Sequence, residues 1–349
     1  MNLYGRSWTR RELEARVGRI EQIGGLRHVT GDDGPEKGVE QIQVRTGAGL
    51  SYVVLPSRGM DIGLADFGGT PLCWLSPVGE VHPAYFDDQG LGWLRTAAGG
   101  LLMTCGLTQV GSPGEEQGVA LGLHGRAHHT PARQVSGVGC WEGDEYRMSI
   151  RGQIEESSIF GPHLSLTRTI KSSLGQASLT IEDVVENLGF EPVPHMLLYH
   201  FNFGFPLISE DTRITFPSGK VIPREADLPL EGLTSWDSPQ AAYRERVYYH
   251  EDLATDSEGF AEVRIRNPNF PIAGTQQGDA LTVCLRWDTA HLPTLVQWKM
   301  PGMGMHVLGI EPANCHVEGR AAERARGTLV TLASGQSQKY HLVLTLLKE

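Results

Sequence analysis

Three short segments concentrate side chains able to move protons or hold a polar ligand. In GLHGRAHH, residues 122–129, His124, Arg126, His128 and His129 crowd beside glycines that permit tight turns and close backbone approach. His124, between Leu123 and Gly125, reads as a site residue, whereas His128 and His129 read as a solvated loop. In PHMLLYHFNFGFP, residues 194–206, strand spacing puts His200 and Asn202 on one face with Met196 and Leu198. His195, Tyr199, Phe201 and Phe203 take the other face. A His and an Asn in so apolar a strand need partners, so they form either a satisfied core pair or part of a ligand pocket. In MHVLGIEPANCHVEGR, residues 305–320, Glu311 ends an apolar strand just before Pro312. A carboxylate at such an edge, with apolar Val307 below it, has the setting for a raised pKa and for work as a base. An ordinary surface glutamate is the plain alternative.

Two arginines stand beside these segments, Arg58 in LPSRGMDI and Arg126 in LHGR. A guanidinium offers a planar fork of donors suited to vicinal hydroxyls or a carboxylate. Both are candidate substrate ligands, pointing to an acidic or phosphorylated compound, and both fit structural salt bridges equally well. Gln297 and Lys299, in VQWKMPG, share a strand face and are placed to line the same pocket, with Trp298 turned the other way into the core. The five cysteines are scattered without a Cys-x-x-Cys pair, which argues against a zinc knuckle or a disulfide framework. Cys105, in LLMTCGLTQ, is expected to be buried and inert.

Short strands must position these groups. Period-two alternation places Met148, Ile150 and Ile154 on one face, Leu281, Val283, Leu285 and Trp287 on another, and Tyr340, Leu342, Leu344 and Leu346 on a third. Further strands are expected near 38–46, 50–55, 164–171, 178–187, 195–203, 246–250, 262–266, 294–300 and 305–311. Gly, Pro, Asn and Asp clusters separate them, and hardly any helical segment intervenes, so an antiparallel sandwich or barrel is expected in place of a βαβ fold. One helix is expected at the start, where Thr9 and Glu12 fit a capping box and Leu13, Val17 and Ile20 recur at helical spacing. The domain reading is a helical appendage over 1–25 and a single β domain over 26–349, with 217–245 as a long surface excursion.

The 349 residues hold 43 glycines and 20 prolines, which is turn-rich without reaching low complexity. Thirty basic against 41 acidic residues, a net charge of −11, argue against nucleic acid or an anionic membrane surface as partner. No apolar run approaches the ~18–20 residues that span a bilayer. The N-terminus lacks the pattern of a secretory leader, so a cytoplasmic location is expected.

Taken in order, LHGR with His124, YHFNFG with His200 and Asn202, and GIEPAN with Glu311 resemble the aldose 1-epimerase (galactose mutarotase-like) family. LPSRGMDIGLADFGGTPLCW and GWLRTAAGGLLMTCGL look like a divergent bacterial branch of it, without a defined substrate. Arg126 stands where many mutarotases have a second Gly, and Tyr199 where an Asn usually precedes the second His. The Asp that helps grip the sugar in that family has no clear counterpart.

The resemblance implies an all-β fold, a large antiparallel β-sandwich of the galactose mutarotase-like supersandwich type. It implies an isomerase acting on a small-molecule sugar without cofactor or metal. Glu311 would deprotonate the anomeric hydroxyl, His200 would protonate the ring oxygen, and His124 would stabilise developing charge. Two other classes fit the same residues. One is a metal-assisted sugar isomerase or lyase using His124, His128, His200, Glu311 and His316. The other is a non-catalytic carbohydrate-binding protein, which has no need of an apolar-flanked glutamate.

Overall fold

The computed structural model describes residues 1–274 and 278–349, and its strands fall mainly into two large sheets. The first runs Ser218–Pro223, Arg246–Leu253, Thr294–Gly302, Met305–Ala313, Met196–Gly204, Leu102–Leu107, Asp61–Phe67, Leu50–Leu55, Glu40–Arg45 and Gly25–Thr30, with Thr70–Pro71 paired off that path. The second runs Arg133–Glu142, Glu145–Ser157, His163–Ser173, Ser178–Asn187, Ser337–Lys348, Asp279–Asp288, Phe260–Phe270 and Arg213–Thr215. Every ladder in both is antiparallel, so the expected all-β sandwich is the observed fold.

Alternation sets which face of each strand turns inward. Met148, Ile150 and Ile154, the series Leu281 to Trp287, and Tyr340 to Leu346 all enter the main core. There they meet Ile42, Val54, Phe201, Phe203, Leu308 and Ile310 from the first sheet. Burying one such side chain is worth about 1.5–3 kcal/mol, more than the ~1 kcal/mol span of strand propensity. Burial therefore fixes the register.

The first sheet is also covered on its outer face. Met103, Cys105, Met196, Leu198, Val247, Val296 and Ala313 form a second, smaller cluster there with Trp93 and Val317. Met196–Gly204 is consequently buried along its whole length. Cys105 lies in this cluster, fully buried, and burial pushes its thiol well above the usual range.

The N-terminal helix spans Arg10–Glu14 and opens on the complete Thr9–Glu12 capping box. It is shorter than the spacing of Leu13, Val17 and Ile20 suggests. Ala15 caps it, and Ile20 begins a separate 3-10 turn. Leu13 joins the main core. Among the described residues, no helix is long and apolar enough to cross a membrane.

Candidate active site

The outer face of the first sheet floors a cavity of about 950 Å³, and His124, His200 and Glu311 all line it. Two of the three are mounted on the sheet. Met196–Gly204 and Met305–Ala313 are adjacent strands, with Phe201 opposite Ile310 and Asn202 opposite Gly309. That register sets His200 beside Glu311, with Nε2 3.2 Å from Oε1. The contact has the distance of an ion pair without hydrogen-bond alignment. Among the described residues, neither Glu311 Oε1 nor His200 Nδ1 has a hydrogen-bond partner. Gly309 makes the room, because a Cβ there would stand 2.4 Å from Glu311 Oε1 and 2.8 Å from the Trp298 Cβ.

His124 comes from the loop and is pinned by main chain. Its N–H donates to Gly111 O (2.9 Å) and its carbonyl accepts from Gly106 N–H (3.0 Å). This holds it at φ 56°, a left-handed conformation that costs a non-glycine residue about 1–2 kcal/mol. Gly125 follows at φ 72°, where a Cβ would meet Gln109 O at 2.4 Å and Gly106 O at 2.5 Å, so the loop closes on the sheet only with glycine there. Gly111 N–H also approaches His124 Nδ1 at 3.4 Å. With Nδ1 accepting, the ring proton resides on Nε2.

Burial governs the electrostatics. It pushes the Glu311 carboxyl well above the usual carboxylate range, with Glu245 adding to the push and Arg224 opposing it. It holds His124 down to about 4. Burial, then the neighbouring His124, hold His200 down to about 3. Aromatic rings surround these groups: Trp93 lies 4.9 Å from His124 and Trp298 lies 5.5 Å from His200, centroid to centroid.

The five expected substrate ligands lie elsewhere. Arg58 is fully buried, donating to the carbonyls of Val81 and Thr96 and to His128 Nε2 (2.6 Å). Arg126 is half exposed, 3.9 Å from Asp88, and it is its main-chain N–H that serves the site, by donating to Gly106 O. Asn202 spends its amide on the carbonyls of Gly100 and His200, bracing the loop against the strand. Gln297 bridges His250 and Leu233 O, and Lys299 holds Gly232 O, Ser235 O and Asp237. These last two staple the long excursion to the molecule.

Trp298 lines the cavity and donates from Nε1 to Glu245 (2.9 Å), so its expected core placement is corrected. A signal for this was present in the sequence. The two-residue turn Met303–Gly304 pairs Gly302 with Met305, which sets Val296 opposite Glu311 and Trp298 opposite Gly309. Residues 296, 298 and 300 therefore share the face of Glu311, and Gln297 and Lys299 the opposite one. His128 and His129 are buried, not solvated. His128 donates from Nδ1 to Asp61 (2.7 Å), and His129 stacks on Phe86. The excursion, for its part, walls the cavity with Arg224, Glu225, Tyr243 and Glu245, for which no motif or periodicity gave notice.

Of the metal-ligand set read from the sequence, His124, His200 and Glu311 share the cavity, whereas His128 is held by Arg58 and Asp61 and His316 stacks on Tyr249. Among the described residues, His316, Glu318 and Glu323 bring ligand atoms within 4.8 Å of one another. Their carboxylates are already engaged by Tyr249, Arg326 and Thr328.

Residues 36–346 match a family described as a domain of unknown function, DUF4432. No curated protein matches the sequence. Among solved structures, the chain is similar to a candidate aldose 1-epimerase from Klebsiella pneumoniae subsp. pneumoniae MGH 78578. The two are 26% identical over 92% of this chain and 83% of that one, with a TM-score of 0.84. It shares its fold with a galactose mutarotase-like protein from Clostridium acetobutylicum (13% identity, 94% and 100% coverage, TM-score 0.61). The same holds for a galactose 1-epimerase from Lactobacillus acidophilus NCFM (14% identity, 93% and 98% coverage, TM-score 0.51).

Proposed function

The chain belongs to the DUF4432 family, and we propose that its cavity interconverts the anomers of a neutral aldose by acid–base ring opening. The observation that carries this reading is the His200–Glu311 pair, buried at the cavity floor 3.2 Å apart, with Oε1 and Nδ1 otherwise unpartnered among the described residues. Two such close groups titrate as a unit and share one proton.

With that proton on His200, Glu311 takes the proton of the anomeric hydroxyl while His200 protonates the ring oxygen. The C1–O5 bond breaks, leaving the open-chain aldehyde, protonated Glu311 and neutral His200. Rotation about C1–C2 presents the other carbonyl face. Reclosure reverses the transfers: His200 takes the O5 proton as O5 attacks C1, and Glu311 returns its proton to O1. Protons and charge balance throughout. Burial favours the proton on Glu311 in the free site, and sugar hydroxyls donating to the carboxylate draw it towards His200. His124 Nε2–H is available to the oxygen on which negative charge develops.

Charge in the lining supports a neutral sugar. Glu225, Glu245 and Glu311 face the cavity with Arg224, and that guanidinium is held by Glu225 (2.8 Å) and Glu245 (2.9 Å). Arg58 and Arg126, which pointed to an acidic substrate, lie outside the lining. The test is anomer exchange, followed by NMR saturation transfer over neutral aldoses, uronic acids and sugar phosphates. Wild type should exceed Glu311→Gln by about 10²-fold or more on at least one neutral sugar. Parity across the whole panel would sink the proposal and favour a non-catalytic binding protein.

A further inference from the structure

One sugar ring leaves most of the cavity empty. Its volume is about 950 Å³, whereas the dozen non-hydrogen atoms of a hexose, each allotted a water's ~30 Å³, fill at most about 360 Å³. The cavity also has an apolar stretch of wall, to which Leu91 and Leu94 contribute from the 3-10 turn Gly92–Arg95, which Leu91 caps. Side chains three apart on such a turn eclipse, so the two leucines form one shelf. They are 60% and 52% exposed, although they stand on the same turn as the buried Trp93 that packs on His124. Trp74 lines the cavity as well, edge-on to Trp298 at 6.4 Å.

We infer that the site takes a reducing disaccharide or longer oligosaccharide, an inference that rests on the anomer-exchange reading. The reducing ring occupies the His200–Glu311 floor, and the apolar C–H face of a second ring lies on Leu91 and Leu94. Ring opening needs a free anomeric hydroxyl on the reducing ring. The second sugar is therefore joined through another of its hydroxyls.

Binding is measured by intrinsic fluorescence, since Trp74, Trp93 and Trp298 line the cavity. The probes are glucose and galactose against maltose, cellobiose and lactose, on wild type and on a Leu91→Asn/Leu94→Asn double variant. Both leucines are exposed, so the variant should fold, which its melting temperature checks. At least one disaccharide should bind wild type tenfold or more tightly than its own reducing-end monosaccharide. The double variant should erase that difference and leave the monosaccharide Kd within twofold. Equal Kd values for one and two rings in wild type, or equal weakening of both in the variant, would overturn the inference. Anomer exchange on the same sugars separates the two proposals. Exchange without a two-ring gain removes the second-ring site alone, and a two-ring gain without exchange removes the catalytic reading alone.

Discussion

Inside the sandwich, Arg168 spans Asp61 (2.9 Å) and Asp183 (2.7 Å), Tyr199 donates to Asp183, and His128 joins Asp61 to Arg58. At the cavity floor, by contrast, Glu311 and His200 face each other with ring and carboxylate atoms left over. Both sets are buried and both mix acids with bases. The first is nearly saturated, Arg58 Nε being its one buried atom without a partner among the described residues, and so it orders the strands it joins. The second keeps hydrogen-bonding capacity unspent, which the proposed sugar would take up. A single strand serves both, with Tyr199 pointing to the network and His200 to the cavity. His195 on the same strand makes the contrast again, since Leu107 O and the Tyr340 hydroxyl engage its two ring nitrogens.

The contrast breaks most visibly if substitutions in the two sets do the same thing. Glu311→Gln should lower anomer exchange by about 10²–10⁴-fold while raising the melting temperature at pH 8. Unfolded glutamate gives up its proton near 4.5, whereas folded Glu311 keeps its own to well above that. Stability of the wild type therefore falls as pH rises through that window, and glutamine has no such loss. Asp61→Ala should instead leave Arg168 buried with one acid fewer and lower stability by about 3–5 kcal/mol, read by denaturant unfolding. An Asp61→Ala protein of normal stability would end the distinction.

Acid should unfold the protein through histidines buried at the cavity and away from it. His124, His195 and His250 are held down to about 4 and His200 to about 3, chiefly by burial. The unfolded chain binds these protons below about 6.5 and the folded chain does not. Stability is therefore intact above 6.5 and lost as pH falls, by about 2 kcal/mol per histidine at pH 5. A melting temperature flat between pH 7 and 5 would show these rings charged in the fold.

Smaller effects sharpen the boundary of the site. Glu245→Ala frees Trp298 Nε1 and leaves Arg224 to Glu225 alone, and should weaken sugar binding about three- to tenfold by loss of roughly 1 kcal/mol, with exchange at saturating sugar little changed. Arg126→Ala should stay within ~0.5 kcal/mol in stability and within about twofold in exchange. A tenfold loss there would extend the site to the guanidinium.

Most of the strands were legible because alternation is a one-dimensional record of burial, as in Leu281 to Trp287. Leu102–Leu107 was not, since both of its faces are buried and nothing alternates. Arg133–Glu142 escaped for the opposite reason, as an edge strand with Gly137 and Gly139 and no fully buried residue. The meeting of His124, His200 and Glu311 was legible from three motifs in order. Arg58 misled because residue type says that a charge needs partners but not whether protein or ligand supplies them. Gln297 and Lys299 were assigned to the wrong face because register, not alternation, decides which side a strand shows. Glu245 had no signal at all, because loop residues become neighbours of a site only through the fold.

The ladder beneath His200 and Glu311 divides the labour of the site. The pair proposed to handle protons rides on neighbouring strands at a spacing that main-chain hydrogen bonds maintain, while much of the wall, residues 91–94 and 224–245, comes from connections that can lengthen, shorten or change sequence without disturbing that spacing. On the proposed reaction, chemistry and recognition would thus be separately heritable. A lineage could exchange one sugar for another by rewriting a connection, with the two strands passed on unaltered.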